Sequence, residues 1–127
     1  MKKEVVDTNV LIRFFVGDNK LQQKLASSWF SQAQKGERKL VIKSLVVAET
    51  CFVLESFYKK QRDEIAGVFE VFLAQAWLAV EERDVLLSLW DWYKKGFHFV
   101  DSYLLSWAKD NNSSIISFDK KLTKELS

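Results

Sequence analysis

Four acids in this sequence stand where a carboxylate is disfavoured unless something holds it. Asp7 directly follows the apolar pair Val5 and Val6, and Asp119 follows the run Ile115-Ile116-Ser117-Phe118. Each is expected at the carboxyl end of an inner strand. Glu49 and Asp101 are expected on helices, with Leu45, Phe52 and Val53 one turn either side of Glu49 and Phe97, Leu104 and Leu105 one turn either side of Asp101. Residues at that spacing share a helix face, so both acids are expected on or beside the stripe that meets the core. Taken singly, each has an ordinary explanation. Asp is a favoured helix N-cap, which fits Asp7 and Asp119, and Glu49 or Asp101 could pair with an Arg or Lys from elsewhere. Taken together they suggest convergence, and converging carboxylates raise one another's pKa unless a cation lies among them. A hard divalent ion with oxygen ligands, Mg2+ or Mn2+, meets that need. A single His and a single Cys exclude a Cys/His zinc site within the chain.

The elements that must position these acids follow from apolar spacing. Val5 and Val6 end a short strand, and Thr8 to Val16 can form a helix before a Gly17 turn. Leu21, Leu25, Ser28, Trp29 and Ala33 recur at helical spacing. Leu40 to Ile42 reads as a strand, and Ser44 as the N-cap of a helix running to Tyr58. A helix from about Asp63 to Ala76 places Ile65, Phe69, Phe72 and Ala76 on one face. Leu78 to Val80 reads as a strand, Asp84 to Lys95 and Val100 to Asp110 as helices, Ser114 to Phe118 as a buried strand, and Lys120 to Leu126 as a last helical stretch. Short strands alternating with amphipathic helices predict an α/β layered fold around a small parallel sheet. In such sheets ligands bind beyond the carboxyl ends of the strands.

The 127 residues, 48% hydrophobic and 28% charged, suit one globular domain rather than a disordered tail. A net charge of +2 does not by itself announce a nucleic-acid binder. Cys51 lies in the apolar run VVAETCFVL, so a buried structural thiol is expected there, in keeping with a reducing cytosol. No signal peptide is expected from MKKEVVDTN, and no apolar stretch approaches the ~20 residues of a membrane span. A cytoplasmic protein without membrane association is the expectation.

The segments VVDTNVLIRFF, VVAETCFVL, FVDSYLLSWA and ISFDKKL resemble, in that order, the successive motifs of PIN-domain ribonucleases, and among these the VapC-like toxins of prokaryotic toxin–antitoxin pairs. DTN alone recurs by chance; the ordered set, from Val5 to Leu122, is specific. The resemblance implies a single PIN domain over residues 1–127, with a three-layer α/β fold in which helices flank a small parallel sheet. It implies that Asp7, Glu49, Asp101 and Asp119 form the catalytic, metal-holding acid cluster, Asp7 and Asp101 being the principal ligands. Thr8 and Asn9 would support the first carboxylate, and Ser117 takes the small-hydroxyl position that precedes the last acid. Three departures stand out. His98 replaces an additional Asp found in many members, a final edge strand of many relatives is expected to be missing, and Phe97 and Trp107 make the third motif bulkier.

The activity so implied is Mg2+- or Mn2+-dependent hydrolysis of RNA phosphodiester bonds, with a small antitoxin and a second copy of the chain as partners. Arg13, Lys43 and Lys120 are candidate RNA contacts. The clusters Lys59–Lys60–Arg62, Lys94–Lys95 and Lys120–Lys121–Lys124 are possible phosphate guides, and Tyr58 or Trp92 possible base-stacking surfaces. Trp29, Phe57 and Phe69 offer hydrophobic surface for a dimer. Competing readings are an RNA-processing PIN nuclease outside any toxin pair, a non-catalytic PIN-like binding module, and a phosphotransferase with Asp7 as nucleophile. The last is disfavoured because Asn9 stands where such enzymes carry a second Asp.

Overall fold

The computed structural model describes residues 1–126. Three short parallel strands, β1 (Lys3–Val5), β2 (Lys39–Ile42) and β3 (Ala79–Val80), lie in the order β1-β2-β3. Lys3 is opposite Lys39 and Val5 opposite Val41; on the other side of β2, Val41 faces Ala79 and Ile42 faces Val80. Parallel neighbours need a crossover. Helices α1 (Thr8–Phe15) and α2 (Lys20–Gln34) supply the first, and α3 (Ser44–Ser56) and α4 (Arg62–Phe72) the second. After β3 come α5 (Arg83–Ser88), α6 (Trp90–Lys94), α7 (Phe99–Asp110) and the five-residue α8 (Lys120–Lys124). The result is a helix-rich α/β fold with a small parallel sheet flanked by helices, as the alternation of elements predicts.

The main core joins the sheet to these helices through Leu11, Ile42, Val47, Ile65, Phe69, Leu86 and Trp90, all fully buried. The many aromatics are used here. Phe14, Phe15, Phe30, Phe69 and Phe72 pack edge-on or tilted at centroid distances from 4.6 to 6.0 Å, and Phe69 stacks on Trp90 at 5.1 Å. Edge-to-face and offset contacts suit the ring quadrupole. A second, smaller cluster of Trp92, Phe97, Leu105 and Leu122 anchors the C-terminal part.

Two expectations about the sheet are corrected. β1 is an edge strand, not an inner one, and Lys3, Glu4 and Val5 are all exposed. Ser114–Phe118 forms no strand: it runs as unpaired chain, with Ile116 and Phe118 fully exposed. The competing contact is Ile115, which packs against the Trp92–Phe97–Leu122 cluster. Tertiary packing overrides the β-propensity of a short apolar run. Ser44 is the first helical residue of α3 and not its cap; Lys43 holds the cap position without a side-chain bond. The stretch read as one helix from Asp84 to Lys95 is two, α5 and α6, meeting at Leu89.

Candidate active site

Asp7 emerges from the carboxyl end of β1 in extended conformation (φ −91°, ψ 170°) and caps α1, its Oδ1 accepting the backbone N–H of Val10 at 3.1 Å. That satisfies one of the unpaired donors at a helix start and leaves Oδ2 available. The next residue, Thr8, donates its hydroxyl to Oε1 of Glu49 on α3. The bond crosses 41 residues of sequence and brings the second acid to the first. Asp7, Thr8, Asn9 and Glu49, with Val46 and Val53, line one open pocket of about 360 Å³. Asn9 also lines, with Asp7, Arg13, Gln22 and Trp29, a neighbouring pocket of about 220 Å³ between α1 and α2.

Glu49 is exposed, against the expectation of a core-facing position. Leu45 and Phe52, at 83% and 68% exposure, share its outward face, while Val47, Thr50, Cys51 and Leu54 turn to the core. Asp101 is half-buried in the first turn of α7, whose inward residues are Ser102, Leu105, Ser106 and Ala108. Asp119 is exposed and caps α8, Oδ1 accepting the Lys121 N–H at 2.9 Å, while its own N–H donates to Ser117 Oγ at 3.0 Å. Neither Asp101 nor Asp119 lines the Asp7–Glu49 pocket. Among the described residues, no three His, Cys, Asp or Glu side chains stand close enough to hold a metal ion. The structure therefore brings together half of the predicted acid set.

The donors that do converge suit a hard divalent ion. Mg2+ is commonly held by one or two carboxylates with water and substrate phosphate filling the remaining positions. Asp7 and Glu49 each have one oxygen engaged and one free among the described residues. The pocket contains no sulfur and no imidazole to favour a softer metal. His98 lies apart from it, exposed at the cap position of α7, where its backbone carbonyl accepts from the Ser102 N–H and hydroxyl.

The candidate RNA contacts are differently placed. Arg13 is engaged by Asp18 at 3.2 Å, Gln22 at 2.8 Å and the Tyr58 hydroxyl at 3.3 Å. Lys43 pairs with Glu81. Lys120 is exposed at the start of α8. Arg62 is no surface guide: it donates to the carbonyls of Tyr93 and Phe97 at 2.9 and 2.7 Å, pairs with Glu55 and covers the Tyr93 ring at 4.3 Å. Trp92 is buried and offers no stacking surface, whereas Tyr58 is half-buried, its hydroxyl donating to Asp18 and its ring meeting Phe57 edge-on at 4.9 Å. Phe69 is fully buried and offers nothing to a dimer, whereas Phe57 is 74% exposed. Cys51 is buried as expected, and that burial pushes its thiol up to about 11. A thiol so raised is a poor nucleophile.

Two acids that the motif reading passed over sit at the carboxyl end of β3. Glu81 accepts the Ser44 N–H at 2.9 Å and pairs with Lys43, and the bond from Lys43, followed by that from Ser44, holds its carboxyl below the usual range. Glu82 accepts from the Ser44 hydroxyl at 2.9 Å and, on both oxygens, from the Tyr103 hydroxyl at 2.6 Å. The signal was present. They follow Val80 as Asp7 follows Val6, and the rule that ligands gather beyond strand ends applies to both.

A family model described as PIN domain matches residues 5–124. The chain is similar to a VapC ribonuclease of Aquifex aeolicus (strain VF5), 28% identical over 123 residues, which cover 95% of this chain and 90% of that protein. No solved structure gives a significant match. Among the described residues, no helix is long and apolar enough to cross a membrane.

Proposed function

Because the chain belongs to the PIN-domain family, we propose that it is a metal-dependent endoribonuclease acting as the toxin of a toxin–antitoxin pair. The observation that supports this reading best is the pairing of Asp7 and Glu49 across one pocket at the carboxyl end of β1. Those two carboxylates would hold Mg2+ or Mn2+, which when bound supplies a water of lowered pKa and a counter-charge for the scissile phosphate. The chain's own residues then have distinct tasks. Asp7 is fixed in rotamer by the Val10 N–H, and Glu49 by the Thr8 hydroxyl. Asn9, exposed beside both, offers a carboxamide donor to a phosphate or ribose oxygen. Asp101 and Asp119 complete the four-acid set of this reading from outside the pocket, with Ser117 bracing Asp119. Lys120 is the best placed of the three candidate cations to meet RNA; Arg13 and Lys43 would first have to leave their carboxylate partners.

A small antitoxin whose tail enters the pocket, and a second copy of the chain, are the partners this reading names. The name of the Aquifex relative, a VapC ribonuclease, supports RNA as substrate. A second reading has one observation in its favour: with only two of four acids converging, a PIN-like module that binds without cutting remains in competition. Cleavage of total RNA, with ends mapped, by purified protein with and without Mn2+ decides between them. The nuclease predicts discrete metal-dependent ends that vanish in Asp7→Asn. Unchanged RNA together with no Mn2+ uptake by calorimetry would sink it.

A further inference from the structure

The corner between β3 and α5 does more than turn the chain. Glu82 stands there in the left-handed region, at φ 52° and ψ 46°. A side chain with a Cβ adopts that conformation only where its surroundings over-determine it. Here the surroundings are two helices. Ser44, the first residue of α3, gives its hydroxyl to Glu82 Oε1 at 2.9 Å, and Tyr103 of α7 gives its hydroxyl to both Glu82 oxygens at 2.6 Å. Ser44 lies five residues before Glu49, and Tyr103 two residues after Asp101. Beside it, Glu81 caps α3 from outside by accepting the Ser44 N–H at 2.9 Å and pairing with Lys43.

We infer that Glu82 is a positioning residue that ties the start of α3 to the first turns of α7, setting Asp101 relative to Glu49. The inference rests on the ribonuclease reading and adds to it a device outside the four acids. Partners that orient metal-holding side chains typically change metal affinity or activity by about 10- to 100-fold when removed. Glu82 acts one step further out, through Ser44 and Tyr103 and not on either acid, so an effect at the lower end of that range is expected.

The test separates positioning from plain stabilisation. Glu82→Gly removes the clamp while easing the left-handed backbone, and Tyr103→Phe removes it from the other side without altering the corner. Glu82→Gln keeps an acceptor for both hydroxyls and serves as the conservative rescue. Mn2+ binding by calorimetry without RNA, kcat and KM on one RNA oligonucleotide, and thermal midpoint are measured for each. Glu82→Gly and Tyr103→Phe are expected to weaken Mn2+ binding and kcat by about tenfold. KM should be unchanged and the midpoint within about 3 °C of wild type, a shift worth under 1 kcal/mol in a domain of this size. Glu82→Gln should stay within about threefold of wild type, since hydrogen-bonded geometry and not charge is what it preserves. Full Mn2+ affinity and kcat in Tyr103→Phe or Glu82→Gly, or a loss confined to the thermal midpoint, overturns the inference and leaves the nuclease reading intact. A wild type that binds no Mn2+ and cuts no RNA overturns both.

Discussion

Asp7 and Asp119 cap their helices in the same way, through Oδ1 on a backbone N–H two or three residues ahead, yet they sit in opposite surroundings. Asp7 follows a strand paired to β2 and caps an eight-residue helix whose Leu11 and Ile12 are buried in the main core. Asp119 follows an unpaired segment and caps a five-residue helix whose buried residue is Leu122, in the smaller cluster. Capping is satisfied locally, within three residues. At the anchored Asp7 side a second carboxylate, Glu49, lines the same pocket, tied there by the Thr8 hydroxyl.

Hydrogen exchange should separate the two sides of the molecule most strongly. Amides of β2, paired on both edges, should exchange close to the global unfolding limit. Those of residues 115–118 donate to no ladder and should exchange almost freely. A difference on the order of 10³ or more in protection is expected for a domain of ordinary stability. Equal protection would place Ser114–Phe118 in a ladder and Asp119 on a strand end, with both aspartates equally anchored.

Substitution of the two aspartates is the next largest effect. Asp7→Asn keeps an oxygen for the Val10 N–H and should fold normally, yet lose about 10²-fold or more in kcat/KM, the scale of removing one charge-stabilising group. Asp119→Asn preserves the cap of α8 equally well. From its exposed place outside the pocket it should cost less than about tenfold, below the usual range for a group in direct contact with the reacting phosphate. Equal losses in the two variants would show that Asp119 reaches the reacting phosphate in solution, and that the separation is not the working state.

Much of this was legible in the residues. The start of α1, the start of α7 to within one residue, a strand ending at Val80 and the capping by Asp7 and Asp119 follow from spacing and side-chain type alone. The face of α3 was not. Leu45 and Phe52 flank Glu49 at helical spacing, but Val47, Cys51 and Leu54 repeat at the same spacing on the opposite side. A helix apolar nearly all round carries no periodic signal for which side is buried. The edge position of β1 and the loss of the strand at Ser114–Phe118 depend on what Ile115 touches across the molecule, which no local pattern records. Arg62 shows the same limit: beside Lys59 and Lys60 it reads as surface charge, and only the fold turns it onto Tyr93 and Glu55.

The unequal anchoring also predicts unequal stability. Leu11→Ala empties a fully buried site in the main core and should destabilise by about 3 to 4 kcal/mol. Leu122→Ala acts on a small cluster near the surface that can collapse onto the gap, and about 2 kcal/mol is expected. Denaturant melts of the two variants measure the difference. The Leu122 variant should retain wild-type Mn2+ binding because the Asp7–Glu49 pocket does not rest on it.

The smallest effect expected is a dependence on acid, and it reports on the anchored side. Glu81 holds the start of α3, and its carboxyl lies below the ordinary glutamate range because Lys43 and the Ser44 N–H bond its charged form. A depressed folded pKa means that the unfolded chain takes up this proton first as pH falls. The stabilisation is complete above the unfolded value of about 4.3 and disappears as pH drops through the lower folded value. Glu81→Gln should therefore be slightly less stable than wild type at pH 7 and equal to it near pH 2. The loss should be small, because the Lys43–Glu81 pair is partly exposed and screened by solvent. Urea midpoints of the two proteins at both pH values give the measurement. A gap between them that persists at pH 2 would show that α3 is held at its start by packing and not by the Glu81 charge.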